Sequence, residues 1–334
     1  MQDRRDRDDA AGLTVAGCGA SAIAIPLDGG RRANQMSRLS IALPAPPGAA
    51  AAPVWTGTEF QLEGARSRVL AYDTGPSGWS QELFELHQEH SPGDHFIDVA
   101  SRRHALDQLA RFLPQRDATI LEVGCSGGYF LRELAAARPE GELIGADYTL
   151  GALDVLGRGL PGVPLLQFDL TQCPLPDESV DAVVLLNVFE HIERDDQAMA
   201  QVFRILRPGG IMIAEVPAGP GLYDVYDQQL MHCRRYAMGG FRRLVEQAGF
   251  ECLDRSHLGF WVYPAFWLTK KLNRLRPPRS AEKATARVET AMRTTRRGGG
   301  LGHALMRSED WLRRIAYLPF GIRCLITARR PGAA

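Results

Sequence analysis

Between residues 118 and 217 the chain alternates short apolar runs with stretches in which apolar residues return every three or four positions. The runs are TILEVGC (119–125), ELIGADY (142–148), VPLLQFD (163–169), VDAVVLLN (180–187) and IMIAEVP (211–217). They carry Val, Ile and Leu on consecutive rather than alternate positions, which fits strands buried on both faces. Between and after them, helices are predicted to begin near Tyr129, Gly151, Asp195 and Gly239. Such regular alternation predicts an α/β fold, a doubly wound and mostly parallel sheet with helices on both faces. LRPGG at 206–210 supplies a helix end, a proline stop and a glycine turn into the fifth strand. A sixth strand fits ECLDRSHLGF (251–260), and a last one fits IRCLITARR (322–330).

The pattern differs on either side of this core. Residues 1–53 lack sustained periodicity, and ALPAPPGAAAAP (42–53) reads as a linker, so disorder is expected there. Met36 is an alternative start. RVLAYDT (68–74) suits a short strand, while WSQELFELHQEH (79–90) and DVASRRHALDQLARFL (98–113) have helical spacing, so residues 54–117 read as a helical preamble. The core is expected over 118–260, a helical insertion over 261–319, and the last strand with its tail over 320–334.

Lys and Arg number 39, as do Asp and Glu, so net charge gives no sign of a nucleic-acid partner. The balance conceals an asymmetry: residues 255–330 hold 17 Lys or Arg against four acids, which points to an anionic surface or substrate for that part. FWLTKKLNRL (266–275) and DWLRRIAYLPF (310–320) carry apolar and cationic faces. They read either as an amphipathic cover that rests on an anionic membrane or gathers a lipid-linked acceptor, or as a helical lid or dimer contact. No run of 18 apolar residues exists, so no span is expected. The TVAGC stretch ending at Cys18 resembles a lipoprotein cleavage site, but the apolar stretch before it is too short for an export signal. The six cysteines form no C-x-x-C pair, and a reducing cytoplasm is the expected setting. His87, His90 and His95 match no zinc spacing, and no metal is expected.

The turn after the first core strand allows two chemistries. Gly124, Cys125, Ser126, Gly127 and Gly128 spell G-x-S-x-G, the elbow that presents the nucleophile of a serine hydrolase, here Ser126. That fold places several strands and an HGGG-type loop ahead of the elbow, and here few short strands and no HG pair precede Ile120. The dinucleotide pattern G-x-G-x-x-G is broken by Ser126 and Tyr129, and no G-K-[ST] follows for a phosphate loop. What remains is Glu122, Gly124 and Gly128 at the end of one strand, Asp147 at the end of the next and Asp169 at the end of the third. Acids at successive strand ends line the crevice where ligands of such sheets bind, and a carboxylate there can accept two ribose hydroxyls or an adenine amino group.

Taken in order, ILEVGCSGGYF, GADYT, QFDLTQCPLPDESVDAVVLLNVFEHIE and LRPGG resemble the class I S-adenosylmethionine-dependent methyltransferases, over roughly residues 99–260. The resemblance implies a Rossmann-like seven-stranded sheet whose last strand is antiparallel, and S-adenosylmethionine as cofactor. It implies that Gly124, Cys125, Ser126 and Gly128 approach the methionine part, with Glu122 on its amino group. Asp147, followed by Tyr148, would hold the ribose, Asp169 and Leu170 would face the adenine, and Asn187 would sit near the sulfonium. The middle glycine of the family's common turn is Ser126 here.

Methyl transfer from a sulfonium is an in-line displacement, so positioning supplies much of the rate and a base is needed only where the acceptor loses a proton. Two clusters are candidates for the acceptor side. In NVFEHIERD (187–195), Glu190 and His191 follow the fourth strand, where they could equally organise a helix start. In YDVYDQQLMHCRRY (223–236), Tyr223, His232, Arg235 and Tyr236 are the expected substrate contacts, and His191, His232 and Tyr236 the catalytic candidates; a solvated loop is the plainer alternative. The expected function is transfer of a methyl group to a small-molecule or lipid-linked acceptor at oxygen, with no nucleic acid as substrate. The alternatives are a serine hydrolase and a non-catalytic cofactor binder. The expected location is cytoplasmic, with membrane-peripheral contact through residues 258–319.

Overall fold

The computed structural model describes residues 39–73, 93–275, 283, 286 and 299–332. The expected linker up to residue 38, the expected helix at 79–90 with His87 and His90, and most of the stretch from 276 to 298 lie outside the described residues.

Four short strands come first: β1 (Val54–Trp55), β2 (Phe60–Leu62), β3 (Ala65–Ser67) and β4 (Val69–Ala71). Helix α1 (Phe96–Phe112) leads into β5 (Thr119–Val123), α2 (Tyr129–Ala137), β6 (Glu142–Asp147), α3 (Leu150–Gly159) and β7 (Leu165–Gln167). Then follow β8 (Val180–Leu186), α4 (Asp195–Ile205), β9 (Leu206–Pro217), α5 (Val225–Gln229), α6 (Met238–Gln247) and β10 (Glu251–Leu258). The chain closes with α7 (Tyr263–Leu275), α8 (Gly299–Arg313) and β11 (Arg323–Arg329).

The main sheet has the order β10-β11-β9-β8-β5-β6-β7-β4. β11 runs antiparallel to both β9 and β10, and the pairings from β9 through β4 are parallel. This is the expected doubly wound sheet with a reversed last strand, extended by β4 as an eighth strand on the far edge. All five residues of β5 are buried. Side chains alternate across a strand, so Ile120 and Val184 join the apolar layer containing Leu131, Leu134, Leu153 and Leu156. Leu121 and Val183 point the other way, into the layer with Met199, Val202 and Phe241. Burial on both faces is why these strands read as unbroken apolar runs.

Two expectations for the N-terminal part are corrected. Residues 39–53 are not a free linker, because Ile41 and Leu43 are buried in the core layer on the β8 side and the Ser40 amide donates to Glu142. The preamble is also not wholly helical: β1, β2 and β3 form a separate antiparallel sheet before α1 begins. Glu63 and Gly64, with φ of 51° and 86°, make the two-residue turn with positive φ that joins tightly twisted hairpin strands. In the insertion, α8 ends at Arg313, so the helical reading of 310–320 holds only for its first turn.

Register sets the site. Val123 pairs with Ala146 on one side and Leu185 on the other. The C-terminal ends of β5, β6 and β8 therefore stand level, and their acids and turns share one edge.

Candidate cofactor and acceptor site

The turn from β5 into α2 is built from unusual backbone. Gly124 has φ of 76° and Gly128 has φ of 69°, a region that strains a residue with a Cβ. A Cβ at Gly128 would also collide with a methyl carbon of Leu156. Ser126, at φ of 43°, carries the strain glycine would avoid, and its amide donates to Oδ2 of Asp147 at 2.9 Å. The Thr149 amide donates to Oδ1 at 2.8 Å. Each Asp147 oxygen thus has a backbone partner, and the Thr149 side chain and the Tyr148 amide also bond the carboxylate. Burial pushes the Asp147 carboxyl up, and the amides of Thr149 and Ser126 pull it back.

Glu122 lies beside this turn, 5% exposed, and its Oε2 is buried without a hydrogen-bond partner. Burial first, then the charge of Asp147, raises its pKa well above the usual carboxylate range. An orphaned buried carboxylate oxygen costs about 1–3 kcal/mol or more, and a cationic ligand group at that position would offset it. Cys125 is buried, and burial pushes its thiol up. Tyr148 uses its carbonyl to accept from Gln167. Asp169 caps a short 3-10 turn, accepting from the Thr171 amide at 2.8 Å, with Leu170 buried behind it.

Asn187 follows β8 with φ of 58° and donates its side-chain amide to Glu215 at 3.1 Å. Glu215 is a site residue that the sequence reading passed over. Its Oε1 also accepts from Ser101 at 2.8 Å and from Arg323 at 2.6 Å, and Arg323 reaches Asp98 at 2.6 Å. The signal was present, since Glu215 is a fourth acid near the end of a buried strand, like Asp147 and Asp169.

The acceptor-side candidates converge. Glu190 sits in a 3-10 turn, Phe189–His191, and its carbonyl accepts from the Cys233 amide at 2.7 Å, tying that turn to the loop after α5. Glu190 is fully buried, both of its carboxylate oxygens lack a partner, and burial pushes its pKa up to about 8. The His191 and His232 rings meet edge to face with centroids 4.8 Å apart. His232 Nδ1 lies 3.0 Å from Oδ1 of Asp227. Asp227, fully buried, also accepts from Arg235 at 2.7 Å and from Lys270 at 2.8 Å. Burial works against its charge, but His232, Arg235 and Lys270 together hold its pKa below the usual range. An ionised Asp227 only accepts, so His232 carries its proton on Nδ1 and leaves Nε2 as the lone-pair nitrogen. Burial lowers the His232 pKa in spite of Asp227, which keeps the ring neutral near pH 7.

Two of the expected substrate contacts, Arg235 and Tyr236, have their polar groups bonded within the protein. Arg235 donates through Nε to Ala218, through Nη1 to Asp227 and through Nη2 to Ile322, all inside the protein. The Tyr236 hydroxyl donates between the Phe189 carbonyl and Asp195, at 3.1 and 2.8 Å, and burial pushes its pKa up. Both residues position the loop. The Tyr223 hydroxyl donates to the His232 carbonyl at 2.7 Å. Among the described residues, no histidine hydrogen-bonds the Ser126 hydroxyl, and Ser126 serves the turn through its amide. His95 stacks on Phe96, with ring centroids 4.5 Å apart.

A reversed last strand and acids at the ends of adjacent parallel strands beside a glycine turn form the kind of strand-end crevice in which doubly wound α/β domains hold their ligands. Residues 121–214, from β5 into β9, match the family model described as a methyltransferase domain. Over 158 residues the chain is 35% identical to a protein of Mycolicibacterium smegmatis named as a probable S-adenosylmethionine-dependent methyltransferase, covering 46% of this chain and 60% of that one. It is 31% identical over 145 residues to the demethylmenaquinone methyltransferase of Thermus thermophilus, covering 40% and 64%. It is 37% identical over 103 residues to the malonyl-[acyl-carrier protein] O-methyltransferase of Methylococcus capsulatus, covering 30% and 38%. The chain thus spans less than two thirds of the length of each of these relatives.

Among solved structures, one described as a sarcosine dimethylglycine methyltransferase from Galdieria sulphuraria matches with a TM-score of 0.55 at 14% identity, over 75% of this chain and 99% of that chain. Phosphoethanolamine N-methyltransferase 2 of Haemonchus contortus, in complex with S-adenosyl-L-methionine, matches at 0.50 with 13% identity, over 81% of this chain and 62% of that chain. These two likenesses are of fold. Over the matched region the chain is similar to the S-adenosylmethionine-dependent methyltransferases, and the cofactor this likeness supports is S-adenosylmethionine. The residues fit that group: the orphaned Glu122 oxygen suits an ammonium, and the Asp147 carboxylate at the end of the adjacent strand suits a diol.

Proposed function

We propose that the protein transfers a methyl group to an oxygen of a small-molecule or lipid-linked acceptor. The reading rests above all on Glu122, whose buried Oε2 has no hydrogen-bond partner, beside a glycine turn and on the strand adjacent to that of Asp147. S-adenosylmethionine supplies, when bound, a methyl group already activated by its sulfonium. Glu122 would hold the amino group, Asp147 the ribose hydroxyls, and Asp169 with Leu170 the adenine. Gly124 and Gly128 allow backbone to approach the methionine part, with Cys125 and Ser126 in the same turn, while Tyr148 follows the ribose acid and Asn187 is braced on Glu215.

The acceptor is assigned to the loops bearing His191, Tyr223 and His232. Neutral His232, oriented through Nδ1 by Asp227, suits removal of a hydroxyl proton at Nε2. Arg235 and Tyr236 fix the loop around it. The name of the Methylococcus relative, an O-methyltransferase of a carrier-bound malonyl group, supports transfer to oxygen, and that of the Thermus relative, a methyltransferase of demethylmenaquinone, supports a small-molecule acceptor.

We place the protein in the cytoplasm, touching the membrane surface through α7 and α8 and binding no nucleic acid. Among the described residues, no helix is long and apolar enough to cross a membrane. Calorimetric titration with S-adenosylmethionine and S-adenosylhomocysteine tests the cofactor half, and binding of neither would sink the proposal. Transfer of labelled methyl to hydroxylated quinone or acyl acceptors tests the rest. Cofactor binding without transfer to any acceptor would favour a non-catalytic binder.

A further inference from the structure

We infer that Glu190, His191 and His232 form a site for one divalent transition-metal cation, best suited to zinc. One ligand atom from each residue lies within 4.8 Å of the others. Two imidazoles and a carboxylate are a donor set that zinc accepts while keeping a coordination position open. Metal–ligand bonds of about 2.0–2.2 Å at tetrahedral angles place ligand atoms about 3.4 Å apart. The set closes on a cation by side-chain rotation of on the order of 1 Å.

Two independent features indicate that the cluster is built for a ligand. The first is Glu190, fully buried with both carboxylate oxygens unpartnered. The second is the surroundings of His232. Metal-bound histidines commonly donate their other ring N–H to a carboxylate, which fixes the tautomer and orients the ring. Asp227 does this here, at 3.0 Å from Nδ1, and leaves Nε2 for the cation. Asp227 is anchored in turn by Arg235 and Lys270, and Lys270 also reaches Asp224 at 2.6 Å. The two cations and two carboxylates of this outer cluster balance, so it adds no net positive charge to oppose a metal. The turn carrying Glu190 and the loop carrying His232 are joined by the Cys233 amide, so the ligands come from two segments held together by backbone.

The inference rests on the proposed activity only for its use. With the cation bound, Nε2 of His232 would be a ligand and no longer the base; an acceptor hydroxyl at the open coordination position would be polarised and release its proton to water, so that His232 acts on the acceptor through the cation. Binding itself is separable. Full-length protein stripped with a chelator is titrated with Co2+, followed by visible absorption, and with Zn2+, followed by calorimetry and thermal melting.

Wild type is expected to bind one cation per chain and to melt at a higher temperature with Zn2+. Glu190→Gln, nearly isosteric, and His232→Gln should each bind at least about tenfold more weakly. His191→Gln provides the same test should either variant fail to fold. Asp147→Ala should lose cofactor affinity and keep the cobalt spectrum. Cobalt binding by a wild type that binds no S-adenosylmethionine would leave the metal site standing and remove the proposed function. No uptake by wild type, or equal affinity in wild type and all three ligand variants, would overturn the inference.

Discussion

The two oxygens of Asp147 are held in place, one by the Ser126 amide and the other by the Thr149 amide. Hydrogen bonds to a charged group contribute about 1.5–3 kcal/mol each. Asp147→Ala removes the charged acceptor for a diol and also frees the turn, so affinity for S-adenosylhomocysteine should fall by at least about 100-fold, read by calorimetry. Ser126 makes the opposite case. Its backbone amide serves the turn and its side chain is replaceable, so Ser126→Ala should change cofactor affinity by no more than about threefold and leave methyl transfer in place. Abolished turnover in that variant would revive the nucleophile reading. Glu122, Asp147 and Asp169 were legible in the sequence because each stands out at or near the end of an apolar run. Their hydrogen bonds were not legible, because the amides that reach Asp147 come from two different turns.

At the scale of elements, α7 is joined to the acceptor side by charge. Lys270 is 4% exposed and binds both Asp224 and Asp227, on the segment between β9 and α6, while Asn273 reaches Asp224 at 2.9 Å. Removing one partner of a buried ion cluster costs about 3–5 kcal/mol. Lys270→Met should therefore lower unfolding stability by about that amount in urea titrations, with cofactor affinity much less affected.

Helix α8 packs on α1 through an ion pair between Arg103 and Asp310 and a bond from Arg313 to Nδ1 of His104 at 2.9 Å. Burial first, then Arg313, lowers the His104 pKa well below 6.5. Below about pH 6.5 the unfolded chain takes up a proton that the folded chain refuses. Stability from this group is therefore complete above that pH and is lost, at up to about 1.4 kcal/mol per pH unit, as pH falls toward the depressed folded value. His104→Asn should flatten that acid slope in denaturant titrations between pH 7.5 and 5.5. The strand and helix alternation of the core was readable because each period reports burial on a local element. The β2–β3 hairpin was passed over because three-residue strands leave no period to detect, although Glu63 and Gly64 fit the turn. The Lys270 cluster was unreadable for another reason: its partners lie 43 and 46 residues apart and meet only through the fold.

For the whole molecule, the consequence of the basic insertion is where its apolar surface points. Trp267, Leu272 and Leu275 on α7, and Trp311 on α8, are exposed, and Trp311 is 64% accessible. Lys271 lies over the Trp267 ring at 5.6 Å, and Arg314 is exposed beside Trp311. Tryptophan with adjacent cations suits the headgroup region of an anionic bilayer, where each Lys or Arg near the surface contributes about 1 kcal/mol. Because Lys270 fastens α7 to the acceptor side, a membrane-bound α7 would hold the site next to the lipid phase, where a lipid-linked acceptor is concentrated. Sedimentation with phosphatidylglycerol-containing vesicles should capture the protein at low salt and release it at high salt, with little capture by phosphatidylcholine alone. Lys271→Ala with Arg314→Ala should weaken capture roughly 30-fold. Trp267→Ser should weaken it at both salt concentrations, since the apolar contribution is not screened. Capture that is absent at low salt would leave these helices as a lid or a contact between copies of the chain, and the acceptor as a soluble molecule.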